Sequence, residues 1–240
     1  MCIPPPSQQH NTSQDSEMDG VPSHAQPYQV VGHLGDVDFK LHSNLTDLSL
    51  RLPRKEDVPH ILDILQNKAN SEYDKSISDA SVDELQGVAR KWTTLSHPQL
   101  TYLNFLIWHP THQDGPIGIV GLGWIGPVNE NLNQTESANT SQAGAAGVMI
   151  QPFARGKGYA YEALQMVFDY GLRELGLVEI HVSSHSENTP MKRLMEQKFG
   201  LKAERNNNDH QGRVDEFGND HLWIITAEKL PSFSNHTSSF

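Results

Sequence analysis

The sequence predicts a mixed α/β (α+β) fold, on three observations. Short alternating or apolar runs, such as "LSLRL" at 48–52 and "IGIVGLGWI" at 117–125, read as strands. Two segments carry apolar residues at helical spacing behind capping signals. A third helix lies between "AAGVMI" (145–150) and "LVEIHVSS" (177–184). Strand, helix, strand implies a right-handed crossover between parallel neighbours.

The elements follow in order. After the first strand, Asp57 offers an N-cap, and Val58, Ile61, Leu62 and Leu65 form one apolar stripe. Ser81 and Glu84 make a capping box, with Val82, Leu85, Val88, Ala89 and Trp92 behind it. Strands at 101–108 and 117–125 flank the loop "HPTHQDGP". Residues 145–150 are the fourth strand, 158–175 a helix and 177–184 the fifth strand. A short helix at about 190–198 has Pro190 in its first turn, and strands near 200–204 and 221–228 end the pattern. That makes seven strands. Residues 1–45 are rich in Pro, Ser, Gln, His and Asp and read as a disordered or loosely attached tail. The domain is expected over 46–230, with a mobile polar insertion at 127–144 and a frayed end at 231–240.

Composition narrows the function. A net charge of −11 argues against non-specific nucleic-acid binding and is compatible with a cationic substrate. No apolar run approaches a membrane span, and "MCIPPPSQQH" has neither a basic start nor an apolar core. The single cysteine, Cys2, excludes an internal disulfide. A cytoplasmic protein without membrane or nucleic-acid partners is expected.

"RGKGYAYEAL" (155–164) is the most specific stretch. Gly156 and Gly158 let backbone N–H groups approach a ligand, a helix begins there, and Arg155 and Lys157 add cationic reach. The spacing is neither that of an ATP-type phosphate loop nor GxGxxG. By itself the segment serves equally as a glycine turn entering a helix or as a pyrophosphate cradle. No metal-binding partner accompanies it, so none is expected.

The order of elements, "RGKGYA" opening a helix after a strand, and "ENTPMKRLMEQKFGL" at 187–201 resemble the GNAT superfamily of acetyl-CoA-dependent N-acetyltransferases. The likeness spans roughly 48–230 and is nearest in style to the ribosomal-protein N-terminal and spermidine acetyltransferase branch. It implies a mostly antiparallel, twisted sheet with helices on both faces. It implies acetyl-CoA as co-substrate and a primary amine as acceptor: a small cationic amine, a polyamine or a protein N-terminus. Monomer and homodimer are both open.

The resemblance also implies roles. The backbone of Val148, Met149 and Ile150 would pair with the pantetheine arm. N–H groups of Arg155, Gly156, Lys157, Gly158, Tyr159 and Ala160 would hold the pyrophosphate, and Asn188 the pantetheine arm. Asn188 could equally cap the helix at Pro190. Relatives place a tyrosine acid where this sequence has Met195, and some a serine where it has Met191. "EQKFGL" also carries one extra residue before its glycine. A catalytically impaired acyl-CoA-binding protein is therefore the alternative.

Parity on the fifth strand puts His181, Ser183 and His185 on one face. His185, as a base, and Ser183 are the catalytic candidates; an ordinary polar face is the competing reading. Glu72 and Tyr73, with Asp74, lie in the stretch that lines the acceptor site in relatives. Trp124 ends a glycine-rich strand and is a candidate cleft residue, while Trp92 reads as core.

Overall fold

A computed structural model describes residues 26–95, 99–128, 141–205 and 218–230. It shows a nine-stranded sheet in the order β1-β2-β3-β4-β5-β6-β7-β9-β8. The strands are β1 (Tyr28–Val31), β2 (Lys40–Ser43), β3 (Ser49–Arg51), β4 (Leu103–Trp108), β5 (Gly118–Pro127), β6 (Gln142–Ile150), β7 (Glu179–Ser184), β8 (Glu204–Arg205) and β9 (His221–Ile225). Every pairing is antiparallel except β6 with β7, which α5 (Tyr159–Asp169) connects.

Alternation on the strands divides the interior. Leu103, Phe105 and Ile107 join α5 in one core, while Leu106 and Ile119 face α1 (Val58–Gln66) and α4 (Val82–Trp92) in another. Helices therefore cover both faces, as expected of a sheet whose strands are apolar on both sides. Trp92 is half-buried against the α1/α4 core.

Four expectations change. The sheet has nine strands rather than seven, because residues 26–45 are not a tail throughout. β1 and β2 pair there, and Tyr28, Phe39 and Leu41 bury fully against the α5 side. The polar stretch at 68–80 holds two short helices, α2 (Lys68–Ser71) and α3 (Lys75–Ser78). Asp57 does not cap α1: its carboxylate accepts from Arg51 at 2.7 Å and from the Arg54 backbone N–H at 2.7 Å. The ends of the expected insertion are paired strand, Pro127 with Gln142. Residues 129–140 and the expected C-terminal tail lie outside the described residues.

Two helices end in wide i→i+5 turns, Tyr170–Glu174 after α5 and Leu194–Lys198 after α6 (Thr189–Arg193). The second absorbs the extra residue of "MEQKFGL": the Phe199 N–H reaches Leu194 O at 3.1 Å.

Candidate active site

The N-terminus of α5 is open. Gly156 and Gly158 have φ of +76° and +85°, conformations that favour glycine, and nothing lies within 4 Å of where a Cβ would stand on either. Gly158 is the N-cap and supplies no side-chain acceptor, whereas Asn67, Asp74, Ser81 and Asn188 cap α2, α3, α4 and α6 with theirs. Glu162 N–H is bonded to Gly158 O at 3.2 Å. The preceding N–H groups, of Tyr159, Ala160 and Tyr161, have no carbonyl of the helix to reach, and the helix dipole is positive there. Exposed Lys157 stands beside them, its Nζ 3.4 Å from His112 Nε2.

Arg155 is committed elsewhere. Its Nε donates to Ile150 O at 2.9 Å, and its Nη2 to Ala69 O at 2.8 Å and Asn70 Oδ1 at 2.6 Å. The cation expected at the cradle instead ties the end of β6 to α2. Buried Gln151 reinforces the tie. It donates to Asp63 Oδ2 at 2.9 Å and accepts from Asn67 at 3.1 Å and Asn70 at 3.2 Å. Sequence reasoning missed this brace, because polar residues scattered over 63–70 carry no periodic signal.

Beside the cradle the sheet splits. β6 and β7 pair only where Ala143–Ala145 meet Glu179–His181. Beyond that, β6 stays paired to β5 through Ile150 while its other edge parts from β7. Gly147 is consequently exposed in mid-sheet, with nothing within 4 Å of its Cβ position. Ile180, Val182 and Ser184 are buried, and His181 and Ser183 face the opposite side, as parity required. That side is shared by Ala145, Gly147 and Met149.

The rim of the split is acidic. Glu72 and Tyr73, between α2 and α3, approach Glu187 of the β7–α6 connection. The Glu72 charge, then burial, a hydrogen bond to Glu72 and the Glu187 charge hold the Tyr73 hydroxyl above its ordinary pKa. His185 lies alongside Glu187: its Nδ1 accepts the Glu187 backbone N–H at 3.2 Å and is 3.9 Å from Glu187 Oε2. An Nδ1 that accepts leaves the proton of the neutral ring on Nε2. His185 is thus arranged to donate from Nε2 rather than to take a proton at Nδ1. Behind it, Asp220 is braced by Ser186 and His221. These bonds outweigh burial and hold the Asp220 carboxyl below its ordinary range. A pocket of about 490 Å³ on the α2–α3 connection is lined by Lys68, Ala69, Ser71, Glu72 and Ser78. It contains no residue of β6 or β7 and so lies outside the split.

The family profile of the GNAT acetyltransferase domain matches residues 47–202. The chain belongs to that family. It is an acyltransferase, and its co-substrate is acetyl-CoA. Among solved structures, it is similar to a spermidine N-acetyltransferase from Vibrio cholerae determined with CoA and spermine. Identity is 23% and TM-score 0.56, over 76% of this chain and 96% of the other. A GNAT-family acetyltransferase from Bacillus anthracis matches at 18% identity and TM-score 0.52, over 75% of this chain and 95% of the other. A ribosomal-protein α-N-acetyltransferase with coenzyme A matches at 16% identity and TM-score 0.54, over 75% and 93%. No curated protein is similar enough in sequence to match.

The GNAT chain's own geometry fits acetyl-CoA. Phosphates suit an uncapped, glycine-rich helix N-terminus, and an extended arm suits the free edge of β6. Of that edge, the Ile150 carbonyl is taken by Arg155, and the alternation set by Gln151 N–H on Ile117 O turns the backbone of Val148 outward and that of Met149 toward β5. Asn188 caps α6, its Oδ1 accepting from Met191 N–H at 3.1 Å. Met195 is fully buried in the α5-side core. Trp124 shares the face of Ala145, but its ring folds back over Gly126. Ser183 is exposed on the face that carries Gly147. Among the described residues no group of His, Cys, Asp or Glu could hold a metal, and no helix is long and apolar enough to cross a membrane.

Proposed function

We propose that this enzyme moves the acetyl group of acetyl-CoA directly to a primary amine in the split between β6 and β7. The observation that carries the reading is the uncapped N-terminus of α5 standing next to that split. N–H groups from Gly156 to Ala160, with Lys157, would hold the pyrophosphate. The free edge at Val148 would hold the pantetheine arm, and Asn188 would reach it with the amide nitrogen not used in capping.

Acetyl-CoA supplies an activated acetyl thioester. The chain's residues bring the amine to it. Glu72 and Glu187 attract a cation at the rim, which favours an amine that is charged in solution. That ammonium must lose a proton before it attacks, to water or to a rim carboxylate. His185 Nε2–H supplies a donor for charge developing on oxygen or sulfur, and Ser183 lies on the same face. The acceptor is a small cationic amine or a protein N-terminus.

One observation favours acyl-CoA binding without turnover: Met195 is buried where relatives carry a tyrosine acid. Thiol release from acetyl-CoA across a panel of amines separates the readings. Amine-dependent release is expected. Stabilisation by acetyl-CoA without release would favour the binding protein, and no stabilisation by any acyl-CoA would sink both.

A further inference from the structure

The β4–β5 loop, residues 109–117, lies against the entry to α5 and touches it at three points. The His109 ring packs on Tyr159 with centroids 4.9 Å apart, and the His112 ring on Phe153 at 5.3 Å. His112 Nε2 stands 3.4 Å from Lys157 Nζ. The loop is built to hold both imidazoles. His109 Nδ1 accepts from Thr111 N–H at 3.3 Å and lies 2.8 Å from Thr111 Oγ1, while His112 N–H donates to His109 O at 2.9 Å. The two rings are 6.4 Å apart. Burial does not explain the arrangement: Phe153 is 59% exposed, and both histidines remain partly open.

The contact with Lys157 sets what His112 can do. An ammonium only donates, so in this pair Nε2 accepts and the neutral ring keeps its proton on Nδ1. Among the described residues no carboxylate pairs with Lys157. A phosphate oxygen arriving at the cradle also only accepts, and it competes with Nε2 for that ammonium. Nε2 then has a use for a proton, because an imidazolium is a second donor to the same anion. The ionisable groups around it are Lys157 from the α5 entry and His109 on its own loop. Asp114 follows on the loop, and His60 of α1 meets the loop at Gly115.

We infer that His112 is a further ligand of the coenzyme's phosphates. Before the coenzyme binds, it accepts from Lys157; on binding, it takes a proton from solvent and donates to a phosphate oxygen. The inference rests on the proposed place of acetyl-CoA at the N-terminus of α5.

The test titrates dephospho-CoA and CoA calorimetrically into wild type, His112→Gln and Gly158→Trp at pH 6 and pH 8. Titrations at pH 7 in buffers of different ionisation enthalpy report the protons taken up. The pyrophosphate stays ionised over this interval and the 3′-phosphate of CoA does not, so dephospho-CoA isolates the protein's proton. Dephospho-CoA should bind the wild type at least about 5-fold more tightly at pH 6 than at pH 8, with net proton uptake. His112→Gln can still accept from Lys157 but carries no charge. Its pH preference and proton uptake should vanish, and its affinity at pH 6 should fall about 10-fold. Its melting midpoint should not move, because the ring sits on an open loop. Dependence on His112 for CoA alone would place the contact at the 3′-phosphate, and for both ligands at the pyrophosphate. Equal pH profiles in wild type and His112→Gln for both ligands would overturn the inference; if Gly158→Trp still weakens binding, the cradle stands without it. Binding indifferent to both substitutions would sink the cradle as well.

Discussion

A histidine whose Nδ1 already accepts a backbone N–H has its protonation chosen for it. His185 is in that state, so its Nε2 proton is available and its Nδ1 lone pair is not. Sequence parity grouped it with His181 and Ser183, but it lies past the end of β7; the tautomer was illegible, because it depends on the turn that returns Glu187 N–H to the ring. The same holds for Arg155, which reads as a cradle cation and is spent on Ala69, Asn70 and Ile150. His185→Ala should lower kcat about 100-fold with acetyl-CoA binding unchanged. His185→Gln, which can still accept from Glu187 and donate outward, should retain more activity than the alanine variant. Equal activity in the two would argue against a donor role.

Elements are positioned here by ties between distant parts of the chain. The α1–α2 junction is held over the end of β6 by Gln151 and Arg155, and it carries the rim residues Glu72 and Tyr73. Gln151→Leu should cost about 1–2 kcal/mol in a denaturant melt, from bonds lost at a buried side chain. It should raise the acceptor KM, because Glu72 and Tyr73 follow directly on the braced α2. An unchanged acceptor KM would contradict the brace. The α5 entry, the β6–α5–β7 crossover and the α4 capping box were legible, because glycine turns, capping residues and apolar spacing are local signals. β1 and β2 were not: "YQVV" and "KLHS" are short, and their few buried residues sit among polar ones. The extra residue of "EQKFGL" was visible, but its accommodation as an i→i+5 turn depends on packing Met195 and Phe199 into the core.

For the whole molecule, the two faces of the sheet divide the work. One face is core against α5. The other is core under α1 and α4 and carries exposed Gly147 and Ser183 beside the split. The edge of this architecture is pinned by the bidentate Arg51–Asp57 pair, which joins β3 to the start of α1. Burial alone would raise the Asp57 carboxyl. The bonds from Arg51 and Arg54 outweigh it and hold the carboxyl below its ordinary 3.8. A depressed folded pKa gives stability that is full above the unfolded value and lost as pH falls through the folded one. Acid should therefore weaken the fold below about pH 4, and Asp57→Asn should destabilise it near neutrality by about 2–3 kcal/mol while flattening that acid limb. Melts from pH 3 to 7 check this; parallel curves for wild type and variant would contradict it.

The central claim is that acetyl-CoA is held at the N-terminus of α5 beside the open edge of β6. Calorimetric titration of acetyl-CoA into the wild type and into Gly158→Trp tests it most directly. At φ +85° a tryptophan is strained and crowds the free N–H groups. Measurable binding to the wild type is expected, with at least about 100-fold weaker binding to the variant. Only a few degrees should be lost in melting midpoint, from about 1–2 kcal/mol of strain. Equal affinity in the two proteins would contradict the claim.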